Sequence, residues 1–443
     1  MSMAFNHNSV HRQILQIALP SIVSNITVPL LALVDTTIVG HLGVPSYIGA
    51  IAVGGMLFNM IYWLFGFLRM GTGGITAQAY GAQHRDEAYR VLMRSLSVAV
   101  CISLMLILFQ RLLVHIVFRF ITATSDVEYW ARIYYDCLIW GAPAVLAQYS
   151  FTGWFLGMQN ARIPMCVAIV QNVVNISASL CFVFLLGWKV KGVAAGTLVA
   201  QYAGTFMSVA FWYFLFRRKQ KVGISWRKVW EAEAFKRFFA VNRDIFLRTL
   251  CLIAVTVYFT SAGSARGELA LAANTLLMQF FVLFSYVMDG FAYAGEALGG
   301  RYFGAADVAR FRALTRSLFG WGLCLTVLFT LVYLFAGARI LALLTDESNV
   351  ICTAIHYLPY AVAVPLVSFA AFLFDGLFIG TTSTRYLLVS MATAAAVFFA
   401  FVWLFPADNS MLWTAFLLYL GVRGAVQAGL YSKVRKKLAA NVK

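Results

Sequence analysis

Between Arg12 and Arg69 the chain runs for 56 residues with a single full charge, Asp35. At about 20 residues per bilayer crossing, such a run holds two membrane-spanning helices. Hydrocarbon offers no partners to backbone N–H and C=O groups, so each apolar segment must satisfy its own, and the helix is the structure open to it. The remainder of the chain repeats the pattern. Apolar runs near 14–39, 46–70, 92–110, 129–153, 163–186 and 191–216, and again near 243–263, 269–296, 316–336, 354–380, 386–405 and 411–431, predict twelve spans. No stretch between them is long enough to bury a core of its own, so the spans are the fold. With 62% hydrophobic and 12% charged residues, the composition excludes an ordinary soluble domain, where roughly a quarter of residues are charged. The expected class is an all-α polytopic membrane protein.

Charge orients these spans. With residue 1 inside, 23 of the 34 Lys and Arg fall in inner segments and 7 in outer ones, so the positive-inside rule puts both termini in the cytoplasm. Met1 to Gln16 lacks a small-residue cleavage site, which predicts a retained signal anchor. The net charge of +17 would also suit a nucleic-acid footprint, but helix ends facing the inner leaflet account for it and no binding motif accompanies it. The lipid bilayer is the expected partner, and no nucleic acid is. The densest basic run, Arg217 to Arg237, reads as a cytoplasmic linker with an amphipathic, surface-lying stretch. Seven scattered cysteines show no CxxC pair, His7 and His11 have no acid between them, and no GxxxxGK[ST] sequence exists. Neither a metal site nor ATP hydrolysis nor an enzymatic nucleophile is expected, and transport should be secondary.

The two halves repeat at an offset of 222 to 223 residues. Arg90-Val-Leu-Met-Arg94-Ser-Leu96 recurs as Arg312-Ala-Leu-Thr-Arg316-Ser-Leu318, Tyr80-Gly81-Ala82 as Phe303-Gly304-Ala305, and Gly153-x-x-x-Gly157 as Gly376-x-x-x-Gly380, while Pro143 pairs with Pro365. Six spans per half give the halves the same orientation, so they are parallel repeats. The expectation is an amino-terminal lobe at 1–216, a basic linker at 217–242 and a carboxyl-terminal lobe at 243–443, with a central cavity and alternating access. The spaced glycines suit close helix approach.

Several segments, in order along essentially the whole chain, resemble the multidrug and toxic compound extrusion (MATE) family in its DinF-like branch. They are Ala18-Leu-Pro20-Ser-Ile-Val-Ser-Asn25, Val34-Asp35-Thr36-x-x-x-Gly40-His41-Leu42-Gly43, Thr76-Ala-Gln78-Ala-Tyr80-Gly81, Asn242-Arg243-Asp244-Ile245, Asp289-Gly290-Phe291-Ala-Tyr293-x-x-Glu296 and Phe374-Asp375-Gly376. The resemblance implies a cation-coupled exporter of amphipathic or cationic organic compounds, a monomer in the bacterial cytoplasmic (inner) membrane. It implies that Asp35 is the proton or sodium site, that Pro20 is where helix one bends, and that Asn175, Ser179 and Thr197 belong to the coupling site. The family pattern has an acid where this chain has Ser179, which removes one negative charge and favours a proton over sodium; no other cofactor is implied. Asn25, Asp289 and Tyr293 are the candidate substrate-cavity positions.

Asp35 itself supports the coupling role, because an intramembrane acid must find a partner, find water or carry a proton. Its bland alternative is a hydrogen bond to Thr36, Thr37 or Asn25 that merely fixes helix one. A proton crossing a driving force of about 150 mV supplies roughly 3.5 kcal/mol, enough for a substrate gradient of about two to three decades. Among the other intramembrane charges, Glu296 is expected in an exposed ion pair with Arg301, whereas Asp136, Asp375 and Arg69 stay open. The alternative function is a lipid-linked precursor flippase, for which only Arg243 and Arg248 could meet a pyrophosphate.

Overall fold

A computed structural model describes residues 9–120, 124–218, 226–405 and 408–440; the tail carrying His7 and the stretch 219–225 of the basic segment lie outside the described residues. Among the described residues there is no strand, and eleven helices are long and apolar enough to cross a membrane. They are α1 (Val10–Gly40), α2 (Pro45–Gly81), α3 (Arg85–Leu108), α5 (Arg162–Leu185), α6 (Lys189–Arg217), α7 (Ala232–Ser264), α8 (Glu268–Gly304), α9 (Val308–Leu344), α10 (Ser348–Gly380), α11 (Thr384–Leu404) and α12 (Asn409–Ala440). The remaining expected span, α4, is helical but broken. A 3-10 turn at Ile139–Gly141 precedes Pro143, which has no N–H to give, and separates Ser125–Leu138 from Ala142–Gly157.

The repeat is visible in the element bounds. α2 and α8 are each 37 residues long and begin 223 residues apart, at Pro45 and Glu268. Four non-glycine residues take left-handed backbone at matching turns: Gln83 and Ala306 after α2 and α8, Gln159 and Thr382 after α4 and α10. Close helix approach repeats as well. A β carbon at Gly153 would lie 2.1 Å from the Arg69 carbonyl oxygen of α2, and one at Gly376 would lie 2.0 Å from that of Ala292 in α8. Only glycine permits backbones that near, which is why α4 rests on α2 and α10 on α8.

The chain folds into two compact units, and they differ from the expected division at 216 and 243. One comprises residues 1–22, 77–83 and 239–443; the other comprises 23–76 and 84–238. Contacts within each unit account for these bounds. Near Gln13, whose side chain accepts a hydrogen bond from Tyr302 Oη at 2.8 Å, α1 packs on α8, and a β carbon on Gly290 would meet Ile22 and the Ala18 carbonyl. Gln78 likewise donates to Gly380 O and Thr382 Oγ1, both at 3.0 Å. In the other unit the buried Arg94 donates through Nε to Val229 O and through Nη2 to Lys228 O, so the described end of the basic linker is docked on α3 rather than free. Large apolar side chains face outward on both units, among them Leu185 (79% exposed) on one and Trp403 (86%) on the other. A bilayer, not water, is the solvent such a surface fits.

Candidate functional site

Three helices of the unit formed by 23–76 and 84–238 converge on Asp35. The period of 3.6 residues puts Asn175 and Ser179 on one face of α5; both are fully buried. Thr197 of α6 is 8% exposed and Asp35 of α1 is 5% exposed. Asn175 Nδ2 donates to Thr197 Oγ1 at 2.9 Å, and that hydroxyl lies 3.0 Å from Val193 O and 3.4 Å from Asp35 Oδ2. A hydroxyl has one proton, and the Val193 carbonyl one turn back is the nearer taker. The contact to Asp35 is long for an O–H···O bond. Asp35 Oδ1, Asn175 Oδ1 and Ser179 Oγ are buried with no hydrogen-bond partner, and among the described residues no Lys or Arg forms an ion pair with Asp35.

The packing that makes this site is tight. A β carbon at Gly196 would fall 2.2 Å from Ser179 Oγ and 2.7 Å from Ser179 N, so glycine lets α5 and α6 close beside Thr197. The hydroxyl at 179 therefore sits where the resemblance implied an acid, packed against the Gly196 backbone.

The structure thus gathers Asp35, Asn175 and Thr197, with Asn175 hydrogen-bonded to Thr197, Asp35 in a long contact with the same hydroxyl, and Ser179 beside them. Thr36 and Thr37 donate to the Ala32 and Leu33 carbonyls, each at 2.8 Å, so neither gives its proton to Asp35. Helix α1 continues through Pro20, and the division between the units falls just after it, between Ile22 and Val23. The candidate cavity residues fall in different units: half-buried Asn25 with Asp35, and half-buried Asp289 and Tyr293 on α8 of the other.

The unit holding residues 239–443 has a second buried acid in a contrary setting. Arg248 of α7 and Arg423 of α12 both donate to Asp375 Oδ2, and Gln427 Nε2 donates to Oδ1 at 2.5 Å. Asp289 lies near enough to Arg423 for their charges to interact. Arg248 is therefore held by Asp375 instead of lining an inner opening, and Arg243, 69% exposed, pairs with Asp244 at 3.0 Å. Glu296 is 1% exposed, not at an exposed pair, and the Arg301 guanidinium lies over the Tyr80 and Tyr302 rings. Asp136 faces outward. No group of three or more His, Cys, Asp or Glu that could hold a metal occurs among the described residues.

Comparison with known proteins agrees with this architecture. The DNA damage-inducible protein F of Escherichia coli (strain K12) is 35% identical over 418 residues, which cover 94% of this chain and 91% of that protein. The multidrug resistance protein MdtK of Yersinia enterocolitica is 24% identical over 396 residues, 86% of this chain and 84% of its own length. A crystal structure of the Vibrio cholerae MATE transporter VcmN in the bent form superposes with a TM-score of 0.85 at 18% identity, covering 97% of this chain and 98% of that one, and shows the shared fold. The MatE family model matches residues 20–183 and 245–404, one segment in each half of the repeat. The chain belongs to the MatE family, on the DinF-like side to which its Escherichia coli relative points.

Proposed function

We propose that this protein is a secondary active exporter that moves amphipathic or cationic organic compounds out across a bacterial inner membrane in exchange for protons, by alternating access. The observation that carries the reading is the Asp35 carboxyl: buried, with no ion pair among the described residues, one oxygen without a partner and the other in a long contact with Thr197. Such a group is stable as a neutral acid and costly as an anion, unless a cation arrives with the substrate. A protonated Asp35 can donate to Thr197 Oγ1, whose own proton serves Val193 O while Asn175 gives to the same oxygen. Loss of that proton leaves a carboxylate that attracts a cationic substrate; its return releases the substrate. The names of the relatives, a multidrug resistance protein among them, support the substrate class.

A sodium reading has one observation in its favour: Asp35 Oδ1, Asn175 Oδ1 and Ser179 Oγ are all unpartnered oxygens. Sodium prefers several oxygens and a balancing charge, and here one carboxylate stands where the family pattern has two, so the proton is favoured. The flippase alternative loses support because Arg248 is bound to Asp375.

The test is reconstitution into proteoliposomes under an imposed proton or sodium gradient, with a cationic dye and a fluorescent polyprenyl phosphate as the two cargoes. Dye movement that collapses with the proton gradient alone is the expected result. Dye movement that follows sodium alone, or movement of the polyprenyl phosphate without the dye, would overturn it.

A further inference from the structure

The repeat exposes a difference between two equivalent basic motifs. In α3, Arg90 lies 3.2 Å from Glu87 and 3.9 Å from Asp86, and Arg94 Nη1 donates to Glu87 at 2.5 Å, so both arginines are neutralised within their own helix. In α9 the arginines recur as Arg312 and Arg316, but at the offset of 222 the two acids have become Val308 and Ala309. The nearest acid, Asp307, caps the helix by accepting from Arg310 N at 2.9 Å and pairs with the Arg310 guanidinium at 3.5 Å. Among the described residues Arg312 has no ion pair.

Arg312 does not stand alone. With Arg435, Lys436 and Ser432 of α12 it lines a cavity of about 200 Å³ that contains no carboxylate, and the buried side chains of Phe311 and Leu438 form an apolar wall. The neighbouring cations are engaged elsewhere: Lys433 Nζ lies 5.9 Å from the Tyr386 ring centroid and Lys437 Nζ 5.9 Å from that of Phe303. At 32 residues α12 is about 48 Å long, against a hydrocarbon core of roughly 30 Å, so its basic last turns lie at the level of lipid headgroups.

Three cations and a hydroxyl with no carboxylate among them fit an anion, and at headgroup level the anion at hand is a lipid phosphate. We propose that Arg312, Ser432, Arg435 and Lys436 bind the phosphate of an anionic phospholipid, so that one lipid ties the start of α9 to the end of α12. The acids removed from α9 are what make the site: the motif that neutralises itself in the first half is left open to an outside anion in the second.

The test uses purified full-length protein, delipidated and then offered phosphatidylglycerol, phosphatidylcholine or inorganic phosphate, with bound lipid counted by native mass spectrometry. Wild-type protein should retain phosphatidylglycerol on the order of tenfold better than the R312Q/R435Q/K436Q variant. The K433Q/K437Q variant, which removes two cations outside the cavity, should match wild type. The single R312Q change, at an exposed position where refolding of the core is not at issue, should give an intermediate loss. Phosphatidylcholine should be retained poorly, and inorganic phosphate should not displace the bound lipid. Equal retention by wild type and the triple variant, equal loss in the K433Q/K437Q control, or displacement by inorganic phosphate would each overturn the proposal; the last would make the site one for a free anion.

Discussion

Asp35 and Asp375 are the same side chain at the same depth, 5% and 6% exposed, and their surroundings could hardly differ more. Asp375 is saturated: two guanidiniums share one oxygen and the Gln427 amide takes the other. Asp35 has neutral neighbours, one long contact and one oxygen without a partner. Burial alone therefore does not make a carboxyl a carrier. The decisive quantity is the charge already committed around it, and by that measure Asp375 is a fastening of α7, α10 and α12 whereas Asp35 is free to change its ligand.

The same substitution at the two acids should then have unequal consequences for stability. Asp375→Asn strands two buried arginines and should destabilise the protein by about 3 to 5 kcal/mol, read as a large fall in detergent-solubilised unfolding temperature. Asp35→Asn removes an unpaired acid and should change stability by less than about 1 kcal/mol. If Asp375→Asn unfolds no earlier than Asp35→Asn, the contrast fails. Gly196→Ala probes the frame of the proposed coupling site, because its β carbon would press on Ser179 backbone and side chain; a loss of about 1 to 3 kcal/mol is expected together with impaired transport. Thr197→Val keeps the shape but removes the hydroxyl that Asn175 and Asp35 share, and should cost about 1 kcal/mol while displacing the pH dependence of efflux. An unaltered pH profile would separate Thr197 from the coupling site. The smallest effect is expected at Ala306, where φ is 55°: Ala306→Gly should stabilise by up to roughly 1 kcal/mol without touching transport.

How much of this contrast could be read in the sequence follows from the range of each signal. Spans and repeat were legible because apolar run length and identical spacing are local properties, and Asp35 stood out because no other charge lies near it in sequence. The partners of Asp375 were not legible. Arg248 is 127 residues away and Arg423 is 48, and nothing local says which faces of α7 and α12 turn inward. The sharing of α1 between the two units and the docking of the linker on Arg94 are likewise decided by tertiary contacts that a linear reading at 216 and 243 cannot contain. Glu296 was misjudged for a related reason: proximity to basic residues along the chain suggested exposure, but the close packing of α8 on α10 buries it.

The central claim is that Asp35 alone carries the coupling charge. Its most direct measurement is the proton released when a cationic substrate is added to purified protein in weakly buffered solution, compared between wild type and Asp35→Asn. The account predicts about one proton released per substrate bound by the wild type, and weaker substrate binding with no proton release by the folded variant. Proton release persisting undiminished in Asp35→Asn would contradict it.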